Sequence, residues 1–271
     1  MPELDSPFRA NRSSLKIFRS VLFALFMREM QTRFGARRMG FVWVVMEPLI
    51  ILVVIVAFHS FVHAAPMQGI NFIVFMVSGI VPFHMMRSII YRLTDALQAN
   101  QGLFAYRQLM PFDTFVARVI VEICTYSCAY FIICFSLGFW LDYDVSISDP
   151  LMWIYALLVG VLLSFSIGAA FAMIAHAIPN SGRICKLAYI PLYITAGVFF
   201  PIWNLPAEKM YLISWNPYVE VIDNIRAATF ENYPVTRGVN TSYPLYFTVV
   251  LTFFVMVVYR RRRQSLRAPI A

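Results

Sequence analysis

The sequence predicts an all-α integral membrane protein: six transmembrane helices, an N-terminal cytoplasmic interfacial amphipathic helix, and re-entrant helices between spans five and six. Three observations predict it. Hydrophobic residues make up 60% of the 271, charged residues only 13%, and the mean hydropathy is +0.69; a soluble domain carries about twice that charge fraction. No Lys or Arg occurs between Arg38 and Arg87, nor between Arg118 and Arg183. The basic residues are concentrated at the ends of the apolar intervals.

A bilayer core of about 30 Å needs about 20 apolar residues as helix. The first cation-free interval is too long for one span and is broken by HAAPMQGIN, so span one is read at about 40–62 and span two at about 72–92. The second is broken by LDYDVSISDP, giving span three at about 114–140 and span four at about 151–176. LAYIPLYITAGVFF (187–200) is apolar but short, about 21 Å of helix at 1.5 Å per residue. Span six is read at 241–259, stopped by Arg260 to Arg263.

Orientation follows from the cations. Eight precede span one, four flank the 2–3 loop, two follow span four and five close the chain, so 19 of the 22 fall on the side of both termini. The other side keeps Lys209, Arg226 and Arg237 with seven acidic residues. Both termini are therefore expected in the cytoplasm. The organisation expected is a cytoplasmic N-terminus over 1–38, a transmembrane domain over 39–260 and a basic tail over 261–271. The polar opening MPELDSPFRANRSSLK has no apolar leader core, so no cleavable signal is expected there.

Within the N-terminus, Phe18, Leu22, Leu25, Phe26 and Met30 share one helical face and Lys16, Arg19, Ser20 and Arg28 the other. Such a helix lies along the interface, its cations at the headgroups. Segment 201–238 is broken by Pro201, Pro206 and Pro217 and carries the short amphipathic pieces MYLISW and VEVIDNIRAATF. Broken apolar helices survive at membrane depth only against protein or a water-filled cavity, so this segment is a candidate pathway wall. The cytoplasmic loop LQANQGLFAYRQLMPFDT is read as a short helix over about 98–110, stopped by Pro111, with Leu103, Phe104, Tyr106, Arg107 and Met110 as anchors for a partner's groove or for this chain's own interfacial helix.

Ionisable residues inside spans are functional candidates. Glu47, His84, Arg87 and Glu122 are the chief ones, with Arg118 one turn before Glu122; Glu47 and Glu122 could pair with Arg87 and Arg118, or line a polar path. Trp43, Phe83, Tyr193, Phe199, Phe200 and Trp203 are candidate gate or channel residues, because ring faces stack on the C–H faces of sugars and also exclude water. No phosphate-binding glycine loop, H-E-x-x-H, nucleophile elbow or C-x-x-C occurs, and Cys124, Cys128, Cys134 and Cys185 form no metal-ligand pattern. A permease without its own catalysis is favoured over a membrane-embedded glycan-modifying enzyme, which needs a clustered catalytic set.

REMQTRFGARRMGFVWVVMEPL (28–49) resembles the entry motif of type 2 ABC exporter permeases, most nearly those for capsular polysaccharide and next those for O-antigen and teichoic acid. NQGLFAYRQLMPFD (100–113) looks like that family's coupling helix, and ISWNPYVEVIDNIRAATF (213–230) like its NP…R segment. The resemblance implies a homodimer working with two ATP-binding subunits that carry ATP and Mg²⁺, no cofactor being bound by this chain. It implies a bacterial inner-membrane location and a lipid-linked acidic polysaccharide as cargo. It also implies a periplasmic copolymerase and an outer-membrane export protein as further partners, and no nucleic acid. Arg28, Arg33, Arg37 and Arg38 would then attract the anionic lipid-linked end at the entrance.

Overall fold

The computed structural model describes residues 14–35, 40–61, 69–106, 108–234 and 242–267, and every regular element among them is helical. In chain order these are α1 (Ser14–Met30), α2 (Gly40–Phe61), α3 (Phe72–Thr94), α4 (Ala96–Ala99), α5 (Pro111–Leu141), α6 (Pro150–Ala177), α7 (Ser181–Ala188), α8 (Ile190–Thr195), α9 (Ala207–Ile213), α10 (Pro217–Thr229) and α11 (Tyr243–Arg262). Among the described residues, α3, α5, α6 and α11 are long and apolar enough to cross a membrane. Helix α2 fills the interval expected for span one, and its fully described apolar stretch is Val45–Ala57.

Helices α3, α5 and α6 start at a side-chain cap, and α5 and α6 also at a proline. Asn71 accepts from the amides of Ile73 and Val74 at the start of α3. Asp149 accepts from Met152 N ahead of Pro150, and Asp113 accepts from Met110 N at the start of α5. Each satisfies an amide that the first helical turn leaves without a partner. Helix α5 ends at Asp142, whose φ of 52° stops the helix in the left-handed region.

Helix α3 is the axis of the bundle. Phe75, Met76, Ile80, Phe83, Met86, Ile89, Ile90 and Leu93 are all below 2% exposure, packed by α2, α5, α6 and α10. The α6 backbone approaches α3 most closely at Gly168, where a Cβ would stand 2.9 Å from Leu93 Cβ and 3.1 Å from Ile90 Cα.

Helix α1 packs on α5. Leu25 is buried and Leu22, Phe26 and Met30 are half-buried, so most of the apolar stripe expected at the interface turns onto protein. Phe18, Phe23 and Met27 remain exposed. The helix continues as a π turn over Gln31–Gly35, which carries Arg33 to α5.

After α6 the chain runs the length of α3 in reverse. Lys186 pairs with Asp95 at 2.7 Å beyond the end of α3, Tyr193 touches Phe83 in its middle, and Trp203 meets Phe75 near its start. Phe75 to Asp95 spans about 30 Å along a helix, more than 187–200 could cover as pure helix. The shortfall is met because residues 196–201 leave helical geometry. The chain then dips back: Tyr218 at the start of α10 meets Phe83 again, about 12 Å along α3 from Phe75. Helix α10 returns towards Phe75, and its last carbonyls, of Ala228 and Thr229, accept from Asp149 N and Ser148 N.

The segment expected as one helix over 98–110 is different. It is the single turn α4 and a 3-10 turn over Gln101–Ala105, with residues 108–110 outside any helix. Asn100 breaks the helix: its φ of −112° leaves the α region and its side chain bonds back to Ala96 O.

Candidate functional site

On α2, Glu47 faces outward from the bundle, one-third exposed in its side chain, and pairs with Arg87 of α3. His84 Nδ1 lies 3.4 Å from Arg87 Nη2, from which it accepts, and 3.7 Å from Glu47 Oε1, so the imidazole stands beside the pair. The Arg87 guanidinium stands 5.8 Å from the Tyr91 ring and 5.7 Å from the Tyr193 ring, within cation–π range. His84 is fully buried, and its Nε2 has no hydrogen-bond partner among the described residues.

Aromatic rings continue from this cluster along α3. Tyr91 meets Tyr189, Tyr189 stacks on Phe83, Phe83 meets Tyr193, and Tyr193 meets Phe199 at 5.3 Å. Beyond them Trp203 packs edge-on to Phe75 and to Tyr233. Tyr193, Phe199 and Trp203 are half-buried and Trp43 is 66% exposed, so these present ring surface outward. Phe83 does not: it is 0% exposed, packed against the equally buried Tyr189 and Tyr218 and behind Tyr193. Phe200 lies in a separate small cluster with Ile202, Met210 and Val219.

The outlying arginines are engaged inside the chain. Arg33 reaches Glu122 at 2.5 Å with 9% and 2% side-chain exposure, and Ser88 donates to the other Glu122 oxygen at 2.7 Å. Arg28 donates to Asn100 Oδ1 at 2.7 Å. The expected pairing of Arg118 with Glu122 does not occur: Arg118 bonds Glu29 at 3.0 Å and Arg92 O at 2.6 Å. The π turn and α1 insert a closer cation and a closer carboxylate between them. Arg37, Arg38 and Arg107 lie outside the described residues.

Of the expected docking anchors, Tyr106 is 65% and Met110 42% exposed, and Leu103 is half-buried. Phe104 is a correction: at 6% exposure it belongs to the chain's own core, because the 3-10 turn points it inward.

Two residues carry more than the sequence assigned them. Arg226, counted there as an outer cation, is 1% exposed. It donates to Gly197 O at 2.8 Å and Val198 O at 2.6 Å, and its guanidinium lies 3.7 Å from the centre of the Phe75 ring. Gly79 leaves the space it fills, since a Cβ there would overlap the guanidinium. Asn216 caps α10 and donates to Leu192 O and Thr195 Oγ1. Together they fasten the 192–198 stretch to α10. The signal available in sequence was an Arg within an otherwise amphipathic piece, which marks a special position without naming its partner.

Helices α3, α5 and α6, the half-exposed ion pair and the fastened segment before α10 all lie within residues 20–230, which match the family model described as ABC-2 type transporter. The chain belongs to the ABC-2 type transporter family. It is similar to the polysialic acid transport protein KpsM of Escherichia coli, 31% identical over 258 residues, covering 94% of this chain and 98% of that protein. It is also similar to the capsule polysaccharide export inner-membrane protein CtrC of Neisseria meningitidis, at 28% identity over 92% of this chain and 93% of CtrC. BexB of Haemophilus influenzae, named likewise, is 28% identical over 83% of this chain and 84% of its own length.

Proposed function

We propose that this chain is the membrane-spanning subunit of an ATP-driven exporter that moves lipid-linked acidic capsular polysaccharide across the bacterial inner membrane. The observation that carries the reading is the Glu47–Arg87 pair. Two charges at 33% and 25% side-chain exposure on a bundle face are costly against lipid tails. They belong against a water-filled path or a second copy of the chain. Tyr91, Tyr193 and Trp43 around them offer ring faces to sugar C–H groups, and Arg87 offers a cation to sugar carboxylates.

Six spans with both termini cytoplasmic fit this use. The run of 186–203 along α3 supplies the fifth crossing, and the return from Trp203 to Tyr218 and back along α10 supports a re-entrant wall on the outer side. Two copies would enclose the path, each with an ATP-binding subunit, carrying ATP and Mg²⁺, docked at Tyr106 and Met110. Arg28, Arg33, Arg37 and Arg38 would supply the cations of the cytoplasmic entrance. Arg33, already held by Glu122, would order that entrance more than it binds cargo. A periplasmic copolymerase and an outer-membrane export protein would extend the path. The relatives' printed names support the substrate class, and the end-to-end match to KpsM supports a shared architecture.

The test is polymer location in cells carrying Arg87→Gln or Glu47→Gln. Surface polysaccharide should fall about tenfold, the loss of one charge-assisted contact, while intracellular polymer rises and the protein stays in the membrane. Normal surface polymer in both variants would overturn the assignment of this face to the path.

A further inference from the structure

Helices α6 and α11 run side by side, pinned where Ser166 Oγ and Thr252 Oγ1 lie 2.7 Å apart. Beyond that bond they part. A groove of about 830 Å³ opens between them, walled by Ala170, Met173, Ala177, Phe254, Val255 and Val258. Arg261 and Arg262 stand at its mouth, both exposed and with no carboxylate partner among the described residues. From Ala170 to Ile178, and from Phe254 to Arg262, the groove runs about 12 Å along each helix. That is close to one leaflet, about half of a 30 Å hydrocarbon core. The small side chains of Ala170 and Ala177 leave room that a larger residue would fill.

We infer that this groove is a binding site for one anionic glycerophospholipid of the inner leaflet. An acyl chain lies along the alanine side of the groove and the phosphate meets Arg261 and Arg262. Charge complementarity selects the occupant. A zwitterionic lipid gains little from two adjacent guanidinium groups, whereas each cation near an anionic headgroup favours its retention. The paired hydroxyls above the groove stop the chain from threading further, so the site is one leaflet deep. The inference rests on membrane insertion and not on the cargo proposed above.

The test uses the full-length protein in nanodiscs of phosphatidylcholine and phosphatidylglycerol with identical acyl chains, extracted gently and weighed by native mass spectrometry. One phosphatidylglycerol per chain should survive extraction in preference to phosphatidylcholine. Arg261→Gln with Arg262→Gln should lower its retention about thirtyfold. Ala177→Leu, which keeps both charges but fills the groove, should also lower it, with helix content unchanged. Should the double variant fail to insert, Ala177→Leu alone decides. Equal retention of the two lipids, or retention indifferent to Ala177→Leu, would mean ordinary annular lipid and overturn the inference. A disulfide formed between two chains through Val258→Cys would overturn it too, by showing that a second copy covers the groove. Loss of polymer export with phosphatidylglycerol retention intact would bear only on the proposed function.

Discussion

Glu122 and Glu47 are both carboxylates inside long apolar helices, yet they do different work. Glu122 is 2% exposed and held by Arg33 and Ser88, so it ties α1's π turn to α3 and α5. Removing one partner of a buried pair leaves an uncompensated charge. Arg33→Ala should therefore lower unfolding free energy in detergent by about 3 kcal/mol. Arg92→Ala, whose guanidinium is 48% exposed and 3.6 Å from the same carboxylate, should cost less than about 1 kcal/mol. Equal losses in a denaturant titration would count against the burial argument. That Glu47, Glu122, Arg87 and Arg118 each need a partner was legible in sequence, since charges in apolar helices are costly alone. The pairing of Glu47 with Arg87 is one of those the sequence allowed. The pairing of Arg118 with Glu29 is not: i, i+4 spacing brings two side chains within reach, and Glu29 from α1 competes for the cation.

At the scale of elements, the segment from 192 to 229 shows how a broken region becomes ordered. Its prolines and short amphipathic pieces said only that no long helix forms there. Order comes from Asn216 and Arg226, which bind backbone carbonyls of the segment before α9. Gly79→Ala should displace the Arg226 guanidinium and destabilise the protein by about 2 kcal/mol, measured as a lower unfolding midpoint. Ala at any exposed α3 position would not do this. The loop between α3 and α5 separates into two roles in the same way. Phe104→Ala empties a core site and should cost about 3 kcal/mol. Tyr106→Ala should leave stability within about 0.5 kcal/mol but weaken stimulation of the partner's ATPase. A Tyr106→Ala protein that couples normally would remove that residue from the docking surface. The sequence listed both as anchors because it shows an apolar cluster in a polar loop, and the 3-10 turn that sends one ring inward depends on contacts with the core.

For the whole molecule, the arrangement of cations predicts that the 101–105 turn and the loop after α10 lie on opposite faces of the membrane. Gly102→Cys and Glu231→Cys, in a background with the four native cysteines replaced by Ser, should label from opposite sides in intact cells. Labelling of both from one side would overturn the proposed topology. Helix positions were legible from hydropathy and caps, because an apolar run of bilayer length between cations has no other stable conformation in lipid. Α-helices α2, α3, α5, α6 and α11 stand within a few residues of the expected intervals. Which faces turn inward was not legible, since α2, α6 and α11 carry no apolar stripe to orient them. The sequence by itself determined the class of the protein and its long helices, both of which depend on local composition. Only the tertiary structure decided which charges are buried as fasteners and which stand on an open face, because that depends on contacts between residues far apart in sequence, 89 positions for Arg33 and Glu122.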